Sequence, residues 1–400
     1  MSLPKFTGSF TQQEPIPEAA IAVACEVMRT GRLHRYNTDA GEMSEVARLE
    51  LDYAAWQGSA FCLAVASGGQ AMQIALRASG VTPGTPVLTN SFTLAPVPGA
   101  IAAVGGLPVL VEITPDLVLD LEDLVEKAAS SGAVHLLVSH MRGHLCDMDA
   151  LTRLCAAHGI TLIEDCAHTM GASWNGTRSG NFGIAGCFST QTYKHMNSGE
   201  GGFLTSDDPD FMARAIILSG SYMLFDRHAA APAPEVFARI RLEMPNMSAR
   251  MDNLRAALLR RQLAEIETAC ARWNALHDRI ADALGTAHRF VMPHRSEAES
   301  YVASSLQFRL PGVGAEAASQ FLAKMAARGV ELKWFGRAYP VGFTSAHQSW
   351  AYVALQALPG TDAILSNLFD MRLPLTFSLE DCDLIVAHLM EVVAEMTEPA

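Results

Sequence analysis

The chain has 400 residues, 50% hydrophobic and 18% charged, which permits a large core plus a smaller one and argues against long disordered tails. With 29 Lys+Arg against 42 Asp+Glu the formal net charge is -13, which disfavours nucleic acid or an anionic membrane as a general partner. None of the eight cysteines forms a Cys-x-x-Cys pair, no run approaches the roughly 18 apolar residues of a membrane span, and the start from Met1 to Thr7 has no apolar leader, so the chain reads as a reduced, cytoplasmic protein.

Between residues 61 and 206 short apolar runs alternate with helical patterns. They predict strands over 61–66, 86–90, 108–113, 134–139, 160–164, 186–190 and 202–205. Helices are predicted over 69–79, 94–104, 121–129, 148–158 and 209–218. Such βα alternation implies an α/β fold with a large, mostly parallel seven-stranded sheet and helices on both faces. Residues 1–248 then form a large domain with an N-terminal segment. One amphipathic helix over 249–284 leads into a smaller C-terminal α/β domain, 249–400, with strands over 305–310 and 371–375 and helices over 316–328 and 379–396.

In parallel sheets ligands bind beyond the carboxyl ends of the strands. Three candidate groups fall there: Ser67-Gly68-Gly69, Asn90-Ser91-Phe92 and Asp165. Lys194 follows in a stretch ending Ser198-Gly199-Glu200-Gly201-Gly202, unlike an ordinary helix surface. An acid at a strand end and a lone lysine before a Gly-rich turn suit pyridoxal 5'-phosphate. The lysine would hold its aldehyde as a Schiff base, and the aspartate would keep its ring nitrogen protonated. Alone, Asp165 reads first as a helix cap; the pairing with Lys194 favours the ring-nitrogen role. Ser67, Gly68 and Gly69 open a helix whose free N–H groups suit a phosphate, with Ser189 as a further hydroxyl. Phe92 reads either as a ring-stacking residue or as a core phenylalanine. His140 and His144 have the residue types of a metal site, but Gly143 interrupts their spacing, and no metal is assigned.

At these residues the chain resembles the DegT/DnrJ/StrS group of pyridoxal-phosphate sugar aminotransferases. The likeness runs from about Ile21 to Leu389. It is strongest at Glu164-Asp165-Cys166-Ala167-His168, at Gly171, Gly176, Gly180 and Gly183, at Ser189 and Lys194, and at Gly199 to Gly202. The resemblance implies a fold type I transferase working as a homodimer with shared active sites. It supports Lys194 and Asp165 as catalytic, and Ser67, Gly68, Gly69, Phe92, His168 and Ser189 as cofactor contacts. Either Asn246 or Ser248 would reach the neighbouring subunit's site. Departures are Gly69 where the group usually has Thr, Thr190 where it has an aromatic residue, Ser248 where it has Asn, and the loop from Arg142 to His144.

The expected reaction is ping-pong transamination from an amino donor, glutamate, to a small ketone acceptor of the keto-sugar class. Arg32 and Arg35 form a basic cluster that reads either as an acceptor contact or as a solvated loop. Arg142 and Arg337 are further substrate candidates. Two alternatives stand beside this reading: a sugar dehydratase on the same scaffold, in which His replaces the lysine, and a cofactor-binding regulator without turnover.

Overall fold

Short apolar runs flanked by turn residues build the central sheet. In the computed structural model of the chain, which describes residues 3–39 and 41–396, α1 (Glu18–Thr30) and α2 (Glu45–Gln57) precede β1 (Phe61–Val65). Met1, Ser2, Ala40 and residues 397–400, which the leader and domain readings include, lie outside the described residues. Next come α3 (Gly68–Ala78), β2 (Pro86–Asn90), α4 (Pro96–Ala103), β3 (Leu107–Val111), α5 (Leu121–Ser131), β4 (His135–Ser139), α6 (Met148–His158) and β5 (Thr161–Asp165). A hairpin of β6 (Ser173–Trp174) and β7 (Thr177–Arg178) leads to β8 (Ala185–Ser189), β9 (Gly202–Ser206), α7 (Pro209–Ile216) and α8 (Pro234–Ile240). The remainder holds α9 (Asn253–Leu263), α10 (Ile266–Gly285), β10 (Glu299–Ser300), β11 (Ser305–Arg309), α11 (Ala315–Ala327), β12 (Lys333–Trp334), α12 (Pro359–Leu365), β13 (Leu368–Arg372) and α13 (Leu379–Glu395).

Seven strands form the large sheet in the order β1-β9-β8-β5-β4-β2-β3. The pairs β2–β3, β2–β4, β4–β5 and β5–β8 are parallel, while β9 runs antiparallel to both its neighbours. Successive residues serve opposite faces: Leu136 and Leu162 join one core, Leu137 and Ile163 the other. Every residue of β4, β8 and β9 is buried, as expected of strands covered on both sides. The parallel strands all end on one edge, which brings Asn90, Ser139, Asp165 and Ser189 to one side of the sheet.

A second sheet, β11-β13-β12, is antiparallel. Its Leu306, Phe308, Phe369 and Met371 pack with Phe321 of α11, Ile385 of α13 and the N-terminal Phe6 and Phe10. The chain start is therefore sewn onto the last third of the sequence, and Phe6 N–H donates to Arg328 O at 2.9 Å.

Two elements differ from expectation. The last strand is Leu368–Arg372 rather than 371–375, because Pro374 has no N–H to give a ladder. The helix expected over 249–284 is two helices preceded by extended chain. Ala66 N–H donates to Ala249 O at 2.8 Å, and the Asp252 carboxylate caps α9 by accepting from Arg255 N–H at 2.9 Å. After Leu263 the chain breaks at Ala264–Glu265 and resumes as α10. Ile266, Cys270 and Trp273 of α10 pack under the large sheet, whereas Leu276, Ile280 and Leu284 pack in the second core. In packing terms the two bodies meet inside α10, not at residue 248.

Candidate active site

The site begins with strand ends held in register by side chains. Asn90, closing β2, donates from Nδ2 to the carbonyls of Phe92 (2.8 Å) and Ser139 (3.0 Å), and its Oδ1 accepts from Ser139 N–H at 2.8 Å. Ser139 Oγ in turn donates to Asp165 Oδ2 at 2.7 Å, and Ala167 N–H donates to Oδ1 at 3.1 Å. Thr93 Oγ1 donates to Ser139 Oγ at 2.9 Å. The Asp165 carboxylate thus hangs at the end of a buried polar chain that spans β2, β4 and β5.

Lys194 lies in the loop between β8 and β9. Backbone bonds close that loop: Thr190 N–H to Gly201 O at 2.9 Å, Ser198 N–H to Thr190 O at 2.9 Å and Thr192 N–H to Gly199 O at 3.1 Å. The loop delivers Lys194 Nζ to 2.8 Å from His168 Nε2. Burial pushes the lysine down to about 7, with Asp165 opposing the shift and Arg142, Arg372 and Lys333 adding to it. Burial, helped by the neighbouring Lys194, also holds His168 well below the usual histidine range. The ring is then neutral, and Nε2 accepts from the amine when its proton sits on Nδ1.

Beside this pair lies an anion cradle. Ser67 caps α3, its Oγ accepting from Gln70 N–H at 3.1 Å, and the first-turn N–H groups have no partners within the helix. A Cβ at Gly202 would stand 2.5 Å from Phe188 O and 2.7 Å from Gly68 N. Glycine there lets β8, β9 and the start of α3 meet, which brings Ser189 against Gly68. At Gly69 a Cβ would meet only Ser67 Oγ, at 3.7 Å, so space stays open over the helix start. Free N–H groups, open space, an adjoining hydroxyl, a low-pKa amine and an anchored carboxylate together fit pyridoxal phosphate.

Other sequence candidates lie elsewhere or have other partners. Arg35 is buried, donating from Nη1 and Nη2 to Glu50 at 2.9 and 2.7 Å. Burial would raise the Glu50 carboxyl, but Arg35 and His228 override it and bring it down to about 2. Glu50 also accepts from Ala64 N–H at 2.8 Å; Glu50 therefore ties α2 to β1, and Arg35, spent on it, is closed to an acceptor. Arg32 is held by Asp39 and Glu42. Phe92 is 1% exposed, edge-on to Phe335 with centroids 5.0 Å apart, and packs with Met141 and Leu368. It is the core phenylalanine of its two readings, because no ring face is open. Asn246 and Ser248 are exposed, and Asn246 Oδ1 accepts from Tyr222 N–H at 3.1 Å. Arg337 is half-buried and pairs with none of the described residues. His140 and His144 turn apart, to Glu164 Oε2 at 3.0 Å and to Gln307 Oε1 at 2.9 Å. Glu164 also takes the N–H groups of Gly180, Phe182 and Gly183 and so folds the loop after β7.

Sequence reasoning reached Arg142 but not its surroundings. Arg142 Nη2 donates to Asp370 Oδ2 at 2.8 Å, Lys333 Nζ donates to the same oxygen at 3.2 Å, and Gln307 Nε2 donates to Oδ1 at 2.8 Å. Arg372 stacks on Tyr193, its guanidinium carbon 3.8 Å from the ring centroid. The available signal was Asp370 and Arg372 two apart in an apolar strand, hence on one face.

This fold is the one shared by pyridoxal-phosphate aminotransferases. It matches the crystal structure of 3-amino-5-hydroxybenzoic acid synthase with a TM-score of 0.83 at 24% identity, covering 98% of this chain and 100% of that one. The aminotransferase from Psychrobacter cryohalolentis matches with a TM-score of 0.83 at 20% identity and the same coverage of 98% and 100%. The sequence profile of the DegT/DnrJ/EryC1/StrS aminotransferase family fits residues 20–390, and the chain belongs to that family. It is 31% identical over 290 residues to the L-glutamine:2-deoxy-scyllo-inosose aminotransferase of Streptomyces lividus, covering 72% of this chain and 67% of that protein. The chain spans about half to two thirds of the length of the curated relatives it matches first.

Proposed function

We propose that the protein is a pyridoxal-phosphate-dependent aminotransferase that moves an amino group from glutamate or glutamine to a ketone acceptor of the keto-sugar or polyol-ketone class. The observation that carries this reading is the half-buried Lys194 amine, pushed down to about 7 by desolvation and 2.8 Å from His168 Nε2, with the anchored carboxylate of Asp165 close enough to oppose that shift. Family membership supports the reaction class, and the glutamine-dependent inosose aminotransferases among the relatives support the donor and acceptor classes.

Bound pyridoxal phosphate supplies an aldehyde for an amine and a sink for the electrons released at the donor's α-carbon. Lys194 Nζ, brought down to about 7 by desolvation, would hold that aldehyde and, when free, would move a proton at the donor's α-carbon. His168 Nε2, 2.8 Å from Nζ, would orient the free amine. Asp165, kept in place by Ser139 and Ala167, would keep the ring nitrogen protonated. The start of α3, with Ser67, Gly68, Gly69 and Ser189, receives the phosphate. A homodimer completes the site: Asn246 and Ser248 stand exposed beside Tyr222 and Met223, also exposed, on a surface suited to a second copy of this chain.

The test is spectroscopic. Protein loaded with pyridoxal phosphate should show a visible band that glutamate or glutamine moves to the near ultraviolet. The Lys194→Ala variant should lack turnover, with a loss of about 10²–10⁴-fold or more, the usual worth of a positioned acid–base group. A band that neither donor moves would overturn transamination.

A further inference from the structure

The second sheet has an apolar face and a polar face. Leu306, Phe308, Phe369 and Met371 fill its core. The alternating positions carry Ser305, Gln307, Asp370 and Arg372, and the register sets Ser305 opposite Arg372, with Gln307 and Lys333 both opposite Asp370. The polar face of an antiparallel sheet ordinarily meets water. This one is closed against the large-sheet body: Asp370 is 0% exposed, Gln307 2% and Arg142 8%.

The charges there do not balance. Asp370 serves both Arg142 and Lys333. Among the described residues no carboxylate lies within ion-pair distance of Arg372, which instead covers Tyr193, the residue before Lys194. Arg142 Nε is buried without a partner. Arg142 is also held at φ +59°, a left-handed backbone that a non-glycine residue seldom adopts. Three cations face one carboxylate: Arg142 is buried, while Lys333 and Arg372 are half-exposed at the rim of the face. An excess of partly desolvated positive charge is stabilised by an anion, which the arrangement itself does not supply.

We propose that Arg142, Lys333 and Arg372 form a carboxylate-binding subsite of the substrate cavity beside Lys194. The proposal rests on the aminotransferase reading, which supplies a carboxylate on every amino-acid donor. Guanidinium forks match the two oxygens of a carboxylate, while Asp370 and Gln307 fix the side chains before the ligand arrives. The anion comes from the donor, or from a carboxylate on the ketone acceptor.

Titration calorimetry on the cofactor-loaded protein tests this with glutarate, a dicarboxylate without an amine, and with its uncharged diamide. Glutarate should bind and the diamide should not. Arg372→Gln should weaken glutarate about ten- to a hundred-fold, the worth of a charge-assisted hydrogen bond, and Arg372→Lys should recover part of it. The visible band of the loaded variant checks that the site still stands. A rise in the glutamine concentration that half-moves the band assigns the subsite to the donor. An unchanged donor response with a raised KM for a carboxylated ketone assigns it to the acceptor. Glutarate affinity unaltered in both Arg372→Gln and Lys333→Gln, or no glutarate binding to the unaltered protein, overturns the proposal. A loaded protein whose band no donor moves would instead overturn the aminotransferase reading, and glutarate binding would still be read independently.

Discussion

Lys194 Nζ and His168 Nε2 are 2.8 Å apart, and a protonated lysine can make that hydrogen bond only to a neutral imidazole. Burial secures that neutrality for His168, and the same burial brings Lys194 down to about 7. The rate at which unloaded protein captures pyridoxal phosphate should therefore climb as pH rises through about 7, where the amine loses its proton. Arg372→Gln removes a repelling cation, so the lysine's pKa should rise and the midpoint should move to higher pH. Stopped-flow capture across neutral pH measures both, and a midpoint near the ordinary lysine value of 10.5 would sink the assignment.

Ser139 is the only side-chain donor recorded to Asp165 among the described residues. Ser139→Ala removes a hydrogen bond to a carboxylate and strands Thr93 Oγ1. Steady-state kcat should fall on the order of ten- to a hundred-fold, as expected for a charge-assisted bond that matters at the reacting centre. An unchanged kcat would mean that Asp165 keeps its place without the β4 end.

Arg35 and Glu50 form a buried pair whose loss should register in stability rather than catalysis. Arg35→Met leaves a carboxylate enclosed without its main partner, at a cost of about 3–5 kcal/mol, and adding Glu50→Met should return much of it. The folded Glu50 carboxyl is lowered to about 2 from 4.5. Its contribution is thus complete above 4.5 and disappears as pH falls toward 2. Urea denaturation of the three proteins at neutral and acidic pH checks both signs.

Shared active sites can be tested by mixing. Lys194→Ala protein and protein altered at both Asn246 and Ser248 should each be inactive. When subunits of the two exchange, each hybrid dimer regains one intact site, giving roughly a quarter of full activity in an equal mixture. A mixture with no recovery after proven exchange would show that each chain is self-sufficient in these residues.

Asp165, Lys194 and the Ser67 turn were legible because each sits at a sharp boundary between an apolar run and a turn, where sequence pattern and chemistry coincide. The partners of Arg142 were not. Asp370 lay outside the strand expected over 371–375, and its partners Gln307 and Lys333 are 63 and 37 residues away, where no local pattern reaches. Arg35 misled for a different reason. Local basic density says nothing of Glu50, fifteen residues away, which neutralises it after folding. The break at Ala264–Glu265 had no glycine or proline to announce it. Good helix formers continue through it, and the turn in direction comes from α9 packing on α1 and α2.

One helix links both halves of the cleft. At 20 residues α10 is about 30 Å long, and Trp273 and Leu276, a single turn apart, belong to different cores. The sheet bearing Arg372 is thus mounted on the same rod that braces the sheet bearing Asp165. Such a beam resists free swivelling of one body against the other. It also couples the fates of the two bodies: melting either one strips a wall from the other, and heat should dismantle the subunit in a single step.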